Sequence, residues 1–343
     1  MAVELPRPRT IAADSVPALR WGIVGTGIAD RFVSAMHLHT TQRAVAVAAR
    51  DLDKTNAFAR THGIGLVYQS PSELFADPGI DAVYVSTPHP QHHRLTLEAI
   101  AAGKHVLVEK PIAMSATEAQ EITDAGRRAG VLVMEAMWTR YLPQSDIMRQ
   151  LLADGALGEI HLVHANFGFV AAYDPGSRMW SKELGGGALL DAGVYPISFA
   201  SSVLGTPTSI AASGTLASTG VDATAGLLLG HGNGAVASVS TSMVTSMPVT
   251  ATIMGSLGRL DIRSPFLGPS GVVLHAGSFG AEESTSWNDD RFSAIHEGMA
   301  DEIVAFASYV GESHTESPIH RHAELITIMA TIDEARRQIG AAS

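Results

Sequence analysis

The feature that most constrains the fold is a regular alternation of short apolar runs with helical patterns between residues 21 and 137. An uninterrupted apolar run implies a strand buried on both faces, and strands that alternate with helices connect as parallel βαβ units. This part of the chain therefore predicts a doubly wound α/β domain. The apolar runs are residues 21–24, 44–49, 66–68, 82–86, 105–109 and 131–135, and the helical patterns are residues 54–62, 91–102 and 115–129.

A different pattern begins after residue 207, where short segments are rich in Ser, Thr, Val and Gly. The tripeptide Gly232-Asn233-Gly234 separates two of these segments and is a tight hairpin signal. We expect an antiparallel meander here, followed by helices over 295–310 and 321–338. The expected strands are residues 208–217, 223–231, 235–243, 250–255 and 259–263.

Composition excludes several classes of protein. The length of 343 residues favours two domains, and the hydrophobic content of 46% is typical of globular chains. A net charge of −11 without a basic run disfavours nucleic-acid binding. The chain has no cysteine, which excludes disulfides, thiolate metal sites and a cysteine nucleophile. We expect a cytoplasmic protein without a membrane partner, because residues 1–20 do not resemble a signal peptide and no apolar run has membrane-helix length.

A glycine turn, Gly25-Thr26-Gly27-Ile28-Ala29-Asp30, follows the first predicted strand and precedes a predicted helix. Gly25 would permit a tight turn, and Gly27 would let a pyrophosphate approach the backbone at the helix amino terminus. The pattern G-x-G-x-x-G/A is imperfect because Asp30 occupies its third small position, while Ala29 is small but one residue early. The position between strand and helix favours a dinucleotide site over an unrelated glycine loop.

The end of the second strand bears on the choice of cofactor. An acid at this tip would bind the ribose hydroxyls of NAD, whereas an arginine suits the 2′-phosphate of NADP. Ala49 holds the expected tip and Arg50 follows it, so NADP is favoured. NAD remains open because Asp51 is adjacent, and Arg50 could also be an ordinary surface charge.

The loop after the fourth strand, Ser86–His93, is expected to line the cofactor through Thr87, Pro88 and His92. The clustered histidines raise the alternative of a metal site. No carboxylate or cysteine stands at ligand spacing from them, so we predict no metal.

The fifth strand ends in Glu109-Lys110-Pro111, which places an ammonium at the carboxyl edge of the sheet, where ligands of such folds bind. Pro111 restricts Lys110 to extended conformations and so would aim its side chain consistently. The plainer alternative is a lysine that pairs with a nearby carboxylate.

A second group of candidates lies in Gly185–Pro196, where three glycines precede Asp191 and Tyr195. Pro196 can open a helix as its first residue, so Asp191 and Tyr195 are expected to flank a bend before a helix over 196–204. Oxidation of an alcohol needs a base, and a tyrosine with a pKa near ~10 is a poor one unless an ammonium lowers that pKa. Lys110 could supply this charge, and Asp191 could orient the lysine or the substrate. The alternative is a glycine turn with a capping aspartate and a packed tyrosine.

These motifs together resemble the Gfo/Idh/MocA oxidoreductase family. The resemblance rests on Trp21–Gly27, Gly103–Pro111, Met134–Arg140 and Gly185–Pro196, and it runs from about residue 19 to residue 340. Within the family, the chain resembles the branch of dimeric dihydrodiol dehydrogenases, glucose–fructose oxidoreductase and related sugar dehydrogenases.

The resemblance implies an N-terminal arm at 1–20, a dinucleotide-binding Rossmann domain at 21–137, and an α+β domain at 138–343 with a large open-faced, mostly antiparallel sheet and C-terminal helices. It implies a homodimer or higher homo-oligomer formed through the open sheet face. It also implies hydride transfer between NADP or NAD and a sugar, cyclic polyol or diol. A non-catalytic cofactor-binding sensor on the same fold is the alternative.

The resemblance also implies roles for individual residues. Lys110, Asp191 and Tyr195 form the catalytic set, with tyrosine as the acid or base. Trp138 and Arg140 match positions near the nicotinamide or the substrate, and Arg178 is a tentative substrate residue or a partner in a loop salt bridge. The cofactor residues are Gly25, Thr26, Gly27, Ile28, Ala29, Arg50, Thr87, Pro88, His92, Glu109, Lys110, Trp138 and Arg140.

Overall fold

The computed structural model describes residues 4–277 and 281–341, which form two compact units. The first contains residues 10–138 and 293–326, and we call it the nucleotide-binding unit. The second contains residues 4–9, 139–277, 281–292 and 327–341, and we call it the sheet unit.

The nucleotide-binding unit is built on a six-stranded parallel sheet in the order β3-β2-β1-β4-β5-β6. The order reverses between β1 and β4, and a crevice at such a reversal is where doubly wound folds bind ligands. The strands are β1 (Arg20–Val24), β2 (Arg43–Ala48), β3 (Leu66–Tyr68), β4 (Ala82–Val85), β5 (His105–Glu109) and β6 (Val133–Ala136). The predicted doubly wound domain is therefore confirmed.

Helices connect these strands and cover the sheet. They are α1 (Ala29–His39), α2 (Leu52–His62), α3 (Pro71–Ala76), α4 (His92–Ala101) and α5 (Ala116–Ala129). At the start of α5, Ser115 Oγ accepts a hydrogen bond from Glu118 N at 3.2 Å, and Glu118 Oε2 accepts one from Met114 N at 2.9 Å. Reciprocal side-chain capping of this kind fixes the first turn.

An aromatic core holds the sheet and its helices together. Trp21 on β1 contacts Phe32 on α1 with ring centroids 5.9 Å apart, and Phe32 stacks on Tyr84 of β4 at 3.7 Å. Phe306, which is fully buried, lies 4.8 Å from Trp21. The apolar runs of the sequence thus form the core because both faces of the sheet are covered.

The sheet unit contains an eight-stranded sheet in the order β14-β13-β12-β11-β7-β10-β9-β8. Its strands are β7 (Ile160–Gly168), β8 (Ser209–Leu216), β9 (Asp222–Gly230), β10 (Val236–Ser242), β11 (Ala251–Gly255), β12 (Gly258–Ile262), β13 (Gly271–Ala276) and β14 (Glu283–Asn288). The remaining α-helices of the described residues are α6 (Pro143–Ala153), α7 (Val194–Leu204), α8 (Met299–Gly311) and α9 (His322–Ile339).

The mostly antiparallel character of this sheet was predicted, but the simple meander was wrong. β7 precedes the predicted segments by some 40 residues and inserts between β10 and β11. It pairs parallel with β10 and antiparallel with β11. Local patterning cannot reveal an insertion of this kind, because strand order depends on pairing between segments that are distant in sequence.

The predicted helix start at Pro196 was also wrong. A π-helical turn at Leu189–Gly193 leads directly into α7, so Tyr195 lies inside the helix and Pro196 follows it there. The π turn widens the hydrogen-bonding register just before the proline, which lets the helix continue past a residue that has no N–H to donate.

One helical stretch among the described residues, Lys182–Leu204, is long and apolar enough to cross a membrane by length and composition. No such stretch was expected from the sequence. Because 78% of its most apolar window is buried inside the protein, and core helices pass the same test, this is weak evidence for a membrane span.

Candidate active site

The glycine turn after β1 has the geometry that a dinucleotide requires. Gly25 has a φ of +99°, and a Cβ there would lie 2.7 Å from the carbonyl oxygen of Ser86, so only glycine fits. A Cβ on Gly27 would meet no atom within 4 Å, so open space lies beside this backbone. Thr26 is half-buried and Ile28 is exposed. A phosphate could approach the amino terminus of α1 across Gly27.

The imperfect third position of the motif has a structural explanation. Ala29 is fully buried and begins α1, so it supplies the small residue that lets a helix approach a sheet closely. The Asp30 side chain instead contacts α2, where its Oδ1 lies 3.1 Å from His62 Nε2. The acid therefore joins two helices and does not occupy the packing position.

The tip of β2 presents Arg50 and not Asp51. Asp51 is the N-cap of α2, and its Oδ1 accepts a hydrogen bond from Lys54 N at 3.1 Å. This hydrogen bond holds the pKa of Asp51 below its ordinary value. Arg50 is exposed beside it. With the carboxylate used in capping, the guanidinium is the more available polar group at this tip.

The loop after β4 is clamped by His92. The His92 ring is fully buried, with Nδ1 2.8 Å from Pro111 O and Nε2 2.7 Å from Thr87 O. Burial lowers the pKa of His92, although the two carbonyl groups oppose this shift. The imidazole thus ties the loop after β4 to the loop after β5, and both of its nitrogens are engaged by backbone.

The other two predicted residues of this loop lie closer to solvent. Pro88 is exposed and Thr87 is half-buried. Thr87 Oγ1 is buried without a hydrogen-bond partner in the part of the chain that the structure describes. A buried hydroxyl without a partner usually has a ligand or water to bind, which fits a cofactor at this edge.

Lys110 follows a buried acid at the end of β5. Glu109 accepts hydrogen bonds from the Tyr84 hydroxyl and, through Oε2, from Lys110 N at 3.1 Å. Burial raises the pKa of Glu109, and the charge of Lys110 opposes this rise. The Lys110–Pro111 peptide is cis, and the Lys110 side chain is half-buried.

Two further buried acids near Glu109 were missed by the sequence analysis. Glu135 on β6 accepts a hydrogen bond from Ile112 N at 2.8 Å and lies 3.0 Å from His320 Nε2. Burial, with repulsion from Glu109 and Glu135, raises the pKa of Glu302 well above its ordinary value. Glu135 could have been recognised from the sequence, because it is an acid within an otherwise apolar strand. No local sequence feature distinguishes Glu302.

Trp138 and Arg140 occupy a 3₁₀ turn after β6. The Trp138 ring is buried and stacks on His296 with centroids 6.1 Å apart. Arg140 is 7% exposed, and its Nη1 donates to Ser198 O at 3.4 Å. Trp138 belongs to the nucleotide-binding unit and Arg140 to the sheet unit.

In the sheet unit, the structure brings Arg178 to Asp191, in the turn that leads to Tyr195. Asp191 lies in the π turn and Tyr195 four residues later in α7, and both are buried. Arg178 Nη1 lies 2.9 Å from Asp191 Oδ1, which is the loop salt bridge expected as the alternative to a substrate role. The Phe167 ring packs edge-on against Tyr195 at 5.7 Å and gives the tyrosine an apolar neighbour that was not predicted.

The predicted residues thus form two groups. Gly25, Gly27, Arg50, Thr87 and Lys110 lie at the carboxyl edge of the parallel sheet, and Asp191, Tyr195 and Arg178 lie around the start of α7. Within residues 4–277 and 281–341, no group of three His, Cys, Asp or Glu side chains is arranged to hold a metal ion.

Comparison with known families accounts for most of the chain. Residues 19–137 match the model described as "Oxidoreductase family, NAD-binding Rossmann fold". Residues 146–261 match the GFO/IDH/MocA C-terminal domain.

Curated relatives align over nearly the full length. The chain is 36% identical over 329 residues to the trans-1,2-dihydrobenzene-1,2-diol dehydrogenase of Sus scrofa, covering 94% of this chain and 97% of the relative. It is 37% identical over 331 residues to the enzyme of the same name from Danio rerio, with the same two coverages.

Solved structures share the fold. The 3-ketoreductase KijD10 from Actinomadura kijaniata, in complex with NADP and TDP-benzene, superposes with a TM-score of 0.81 at 27% identity, covering 94% of this chain and 98% of that one. Levoglucosan dehydrogenase, in complex with NADH and levoglucosan, gives a TM-score of 0.84 at 20% identity, covering 94% and 97%.

Proposed function

Because this chain belongs to the Gfo/Idh/MocA oxidoreductase family and is an NAD(P)-dependent dehydrogenase or reductase of CH–OH groups, we propose that its substrate is a cyclic diol, polyol or sugar. In this proposal Tyr195 is the acid or base, assisted by Lys110 and Asp191. The observation that carries it is the placement of Tyr195 and Asp191 on neighbouring helical turns, with Asp191 held by Arg178 at 2.9 Å.

The residues at the edge of the parallel sheet fit a nicotinamide dinucleotide. Gly27 leaves open space for a pyrophosphate at the start of α1, and the hydroxyl of Thr87 is buried without a partner among the described residues. When bound, the nicotinamide would accept or donate the hydride. Arg50 would hold the 2′-phosphate of NADP, since Asp51 is occupied in capping α2.

The protein must then move a proton to or from the reacting oxygen. A phenol has an ordinary pKa near ~10, and a neighbouring cation lowers it by favouring the phenolate. We assign this role to Lys110. Arg178 holds Asp191 in position, and Asp191 would orient the substrate hydroxyl or the lysine.

The substrate class is supported by the surroundings of Tyr195. Phe167 lies edge-on to its ring and in turn packs against Phe169 at 5.7 Å, so an aromatic pair begins on one side of the tyrosine. Such a wall would accommodate the apolar face of a ring, while Asp191 addresses a hydroxyl. A cyclic substrate with neighbouring hydroxyls, as in the names of the curated relatives, satisfies both requirements.

The experiment is a turnover assay with a panel of cyclic diols, polyols and sugars, read by nicotinamide absorbance with NADP and with NAD. Tyr195→Phe and Lys110→Ala should each lower kcat by about 10²- to 10⁴-fold while the cofactor still binds, because the proton-transfer group or its activating charge is lost. Tyr309→Phe is the matched control, since it removes the hydroxyl of another buried tyrosine.

Full activity in both site variants would overturn the mechanism. No absorbance change with the unmodified protein on any substrate would instead favour a cofactor-binding sensor that does not catalyse.

We further propose that the exposed face of the eight-stranded sheet pairs two copies of the chain. Leu228 on β9 is 56% exposed and Leu162 on β7 is 41% exposed, although both lie within sheet strands. Exposed leucines on a flat sheet favour association, because burying them removes apolar surface from water. Leu228→Glu should shift sedimentation toward the monomer, and an unchanged sedimentation profile would contradict this interface.

A further inference from the structure

A buried acid anchors the helix that carries Asp191 and Tyr195. The helical run begins around Ala188, and no side chain within the run caps its first turn. Asp222, at the start of β9 and 33 residues away, fills this role: its Oδ2 accepts a hydrogen bond from Leu189 N at 2.6 Å. The amino-terminal N–H groups of a helix lack intrahelical acceptors, so a buried helix start needs such a partner.

The glycine before this helix is explained by the same acid. Gly187 has a φ of +124°, and a Cβ built on it would overlap Asp222 Oδ1. A Cβ on the preceding Gly186 would instead lie 2.6 Å from the carbonyl oxygen of Met179. The last glycine of the triplet is therefore required both by its backbone angle and by the carboxyl group beside it.

Asp222 stands in apolar surroundings, where a carboxyl group is costly. It is 1% exposed, and its chain neighbours Val221 and Ala223 belong to a buried apolar cluster with Trp180, Ala188 and Met243. Burial raises the pKa of Asp222, while the N–H of Leu189 and the charge of Arg336 oppose the rise. A polar group in such a place needs a compensating hydrogen bond, and the helix start supplies one to Oδ2.

We propose that Asp222 is a positioning residue that sets the placement of Asp191 and Tyr195 through the first turn of their helix. Leu189 lies two residues before Asp191 and six before Tyr195, and a helix transmits a displacement of its first turn with little loss over that length. Thr241 Oγ1 donates to Ala188 O at 3.3 Å and restrains the same turn from the neighbouring strand. This inference rests on the catalytic role proposed for Asp191 and Tyr195.

The test compares Asp222→Ala, Asp222→Asn and Gly187→Ala, with Gln144→Ala as the matched control. Gln144 is equally buried in the sheet unit, and its Nε2 donates long-range hydrogen bonds to Gly268 O at 2.6 Å and to Ser270 Oγ at 3.4 Å. The readouts are kcat and KM for the substrate, cofactor affinity by fluorescence titration, and hydrogen–deuterium exchange of the peptide covering residues 187–195.

We expect Asp222→Ala and Gly187→Ala to lower kcat by about 30- to 100-fold, because misplacement of a reacting group by ~1 Å costs about this much. KM and cofactor affinity should change less than threefold, and residues 187–195 should exchange faster. Asp222→Asn retains an acceptor for Leu189 N and should stay within about threefold of wild-type kcat, and Gln144→Ala should lower stability without this loss of kcat.

Wild-type kcat and exchange in Asp222→Ala would overturn the inference, as would an equal kcat loss in Gln144→Ala. If the alanine variants do not fold, Asp222→Asn decides: more than a tenfold loss of kcat in the folded protein refutes the hydrogen-bond argument. Tyr195→Phe is measured in the same series. An active Tyr195→Phe rejects the catalytic role proposed for Tyr195, on which this inference rests, whereas an inactive Tyr195→Phe beside a wild-type Asp222→Ala rejects only the positioning role of Asp222.

Discussion

Replacement of Gly27 by alanine is expected to weaken cofactor binding without weakening the fold. A Cβ at this position meets no protein atom within 4 Å, and Gly27 is not among the glycines with positive φ. The substitution therefore introduces neither a clash nor backbone strain, and the free energy of unfolding should change by less than about 0.5 kcal/mol. The added methyl group instead fills the space through which a pyrophosphate would reach the start of α1.

Gly25→Ala is the contrasting variant. Its Cβ would lie 2.7 Å from the Ser86 carbonyl oxygen, and its φ of +99° is a conformation that an L-residue rarely adopts. Backbone strain at such an angle costs about 1–3 kcal/mol, and the clash between β1 and β4 adds to this cost. We expect a loss of about 3 kcal/mol or more of unfolding free energy, since both effects act on the central strands of the sheet.

The two variants are compared by urea unfolding without cofactor and by fluorescence titration with NADP and NAD. Gly27→Ala should unfold at the wild-type urea concentration but bind each cofactor at least about tenfold more weakly, which is a difference of about 1.4 kcal/mol. Wild-type affinity in Gly27→Ala would refute the assignment of the open space to a phosphate. A wild-type unfolding midpoint in Gly25→Ala would refute the steric argument.

Three further predictions test other parts of the molecule. Arg50→Ser should weaken NADP binding by about tenfold and leave NAD binding unchanged, because only NADP carries the 2′-phosphate; equal effects on both cofactors would contradict this role. Ser115→Ala should cost about 1 kcal/mol of unfolding free energy, measured by urea denaturation, because it removes the acceptor for Glu118 N. Glu302→Gln should gain stability relative to wild type as the pH rises above 4.5, the ordinary pKa of the side chain. As the pH rises, the native state keeps the Glu302 proton after the unfolded state has lost it, so this side chain makes the wild-type free energy of unfolding fall, and the variant lacks this contribution. Parallel dependence of the thermal-unfolding midpoint on pH in the two proteins would contradict the raised pKa.

Much of the nucleotide-binding unit followed from local sequence. Its six strands and the helices α2, α4 and α5 were predicted within a few residues, because an apolar run buried on both faces and an amphipathic helix each leave a local pattern. The helix α1 was predicted without bounds, and the short α3 was not predicted. The second sheet was less predictable. Five of its strands were recognised, but β7, β13 and β14 were not. The partners of β7 lie far away in the chain, whereas β13 pairs with its chain neighbours β12 and β14 and was simply not recognised from its local pattern.

The candidate site divides in the same way. Its chemical groups and the glycine turn were recognisable, since Gly25, Lys110 and Tyr195 stand at fixed positions relative to predicted elements. The path of the backbone around Tyr195 could not be recognised from the sequence. Local rules predict that a helix begins at Pro196, whereas a π turn before the proline lets the helix start earlier and continue through it.

The sequence by itself determined which chemical groups the protein has and which strand ends and turns present them, because turn geometry, caps and apolar periodicity are local properties of the backbone. Only the tertiary structure decided which hydrogen-bond partner each buried polar group has. Asp222 reaches Leu189 across 33 residues, and His320 reaches Glu135 across 185. A buried carboxyl group is stable only beside a specific donor, and the fold brings that donor to it from a distant part of the chain.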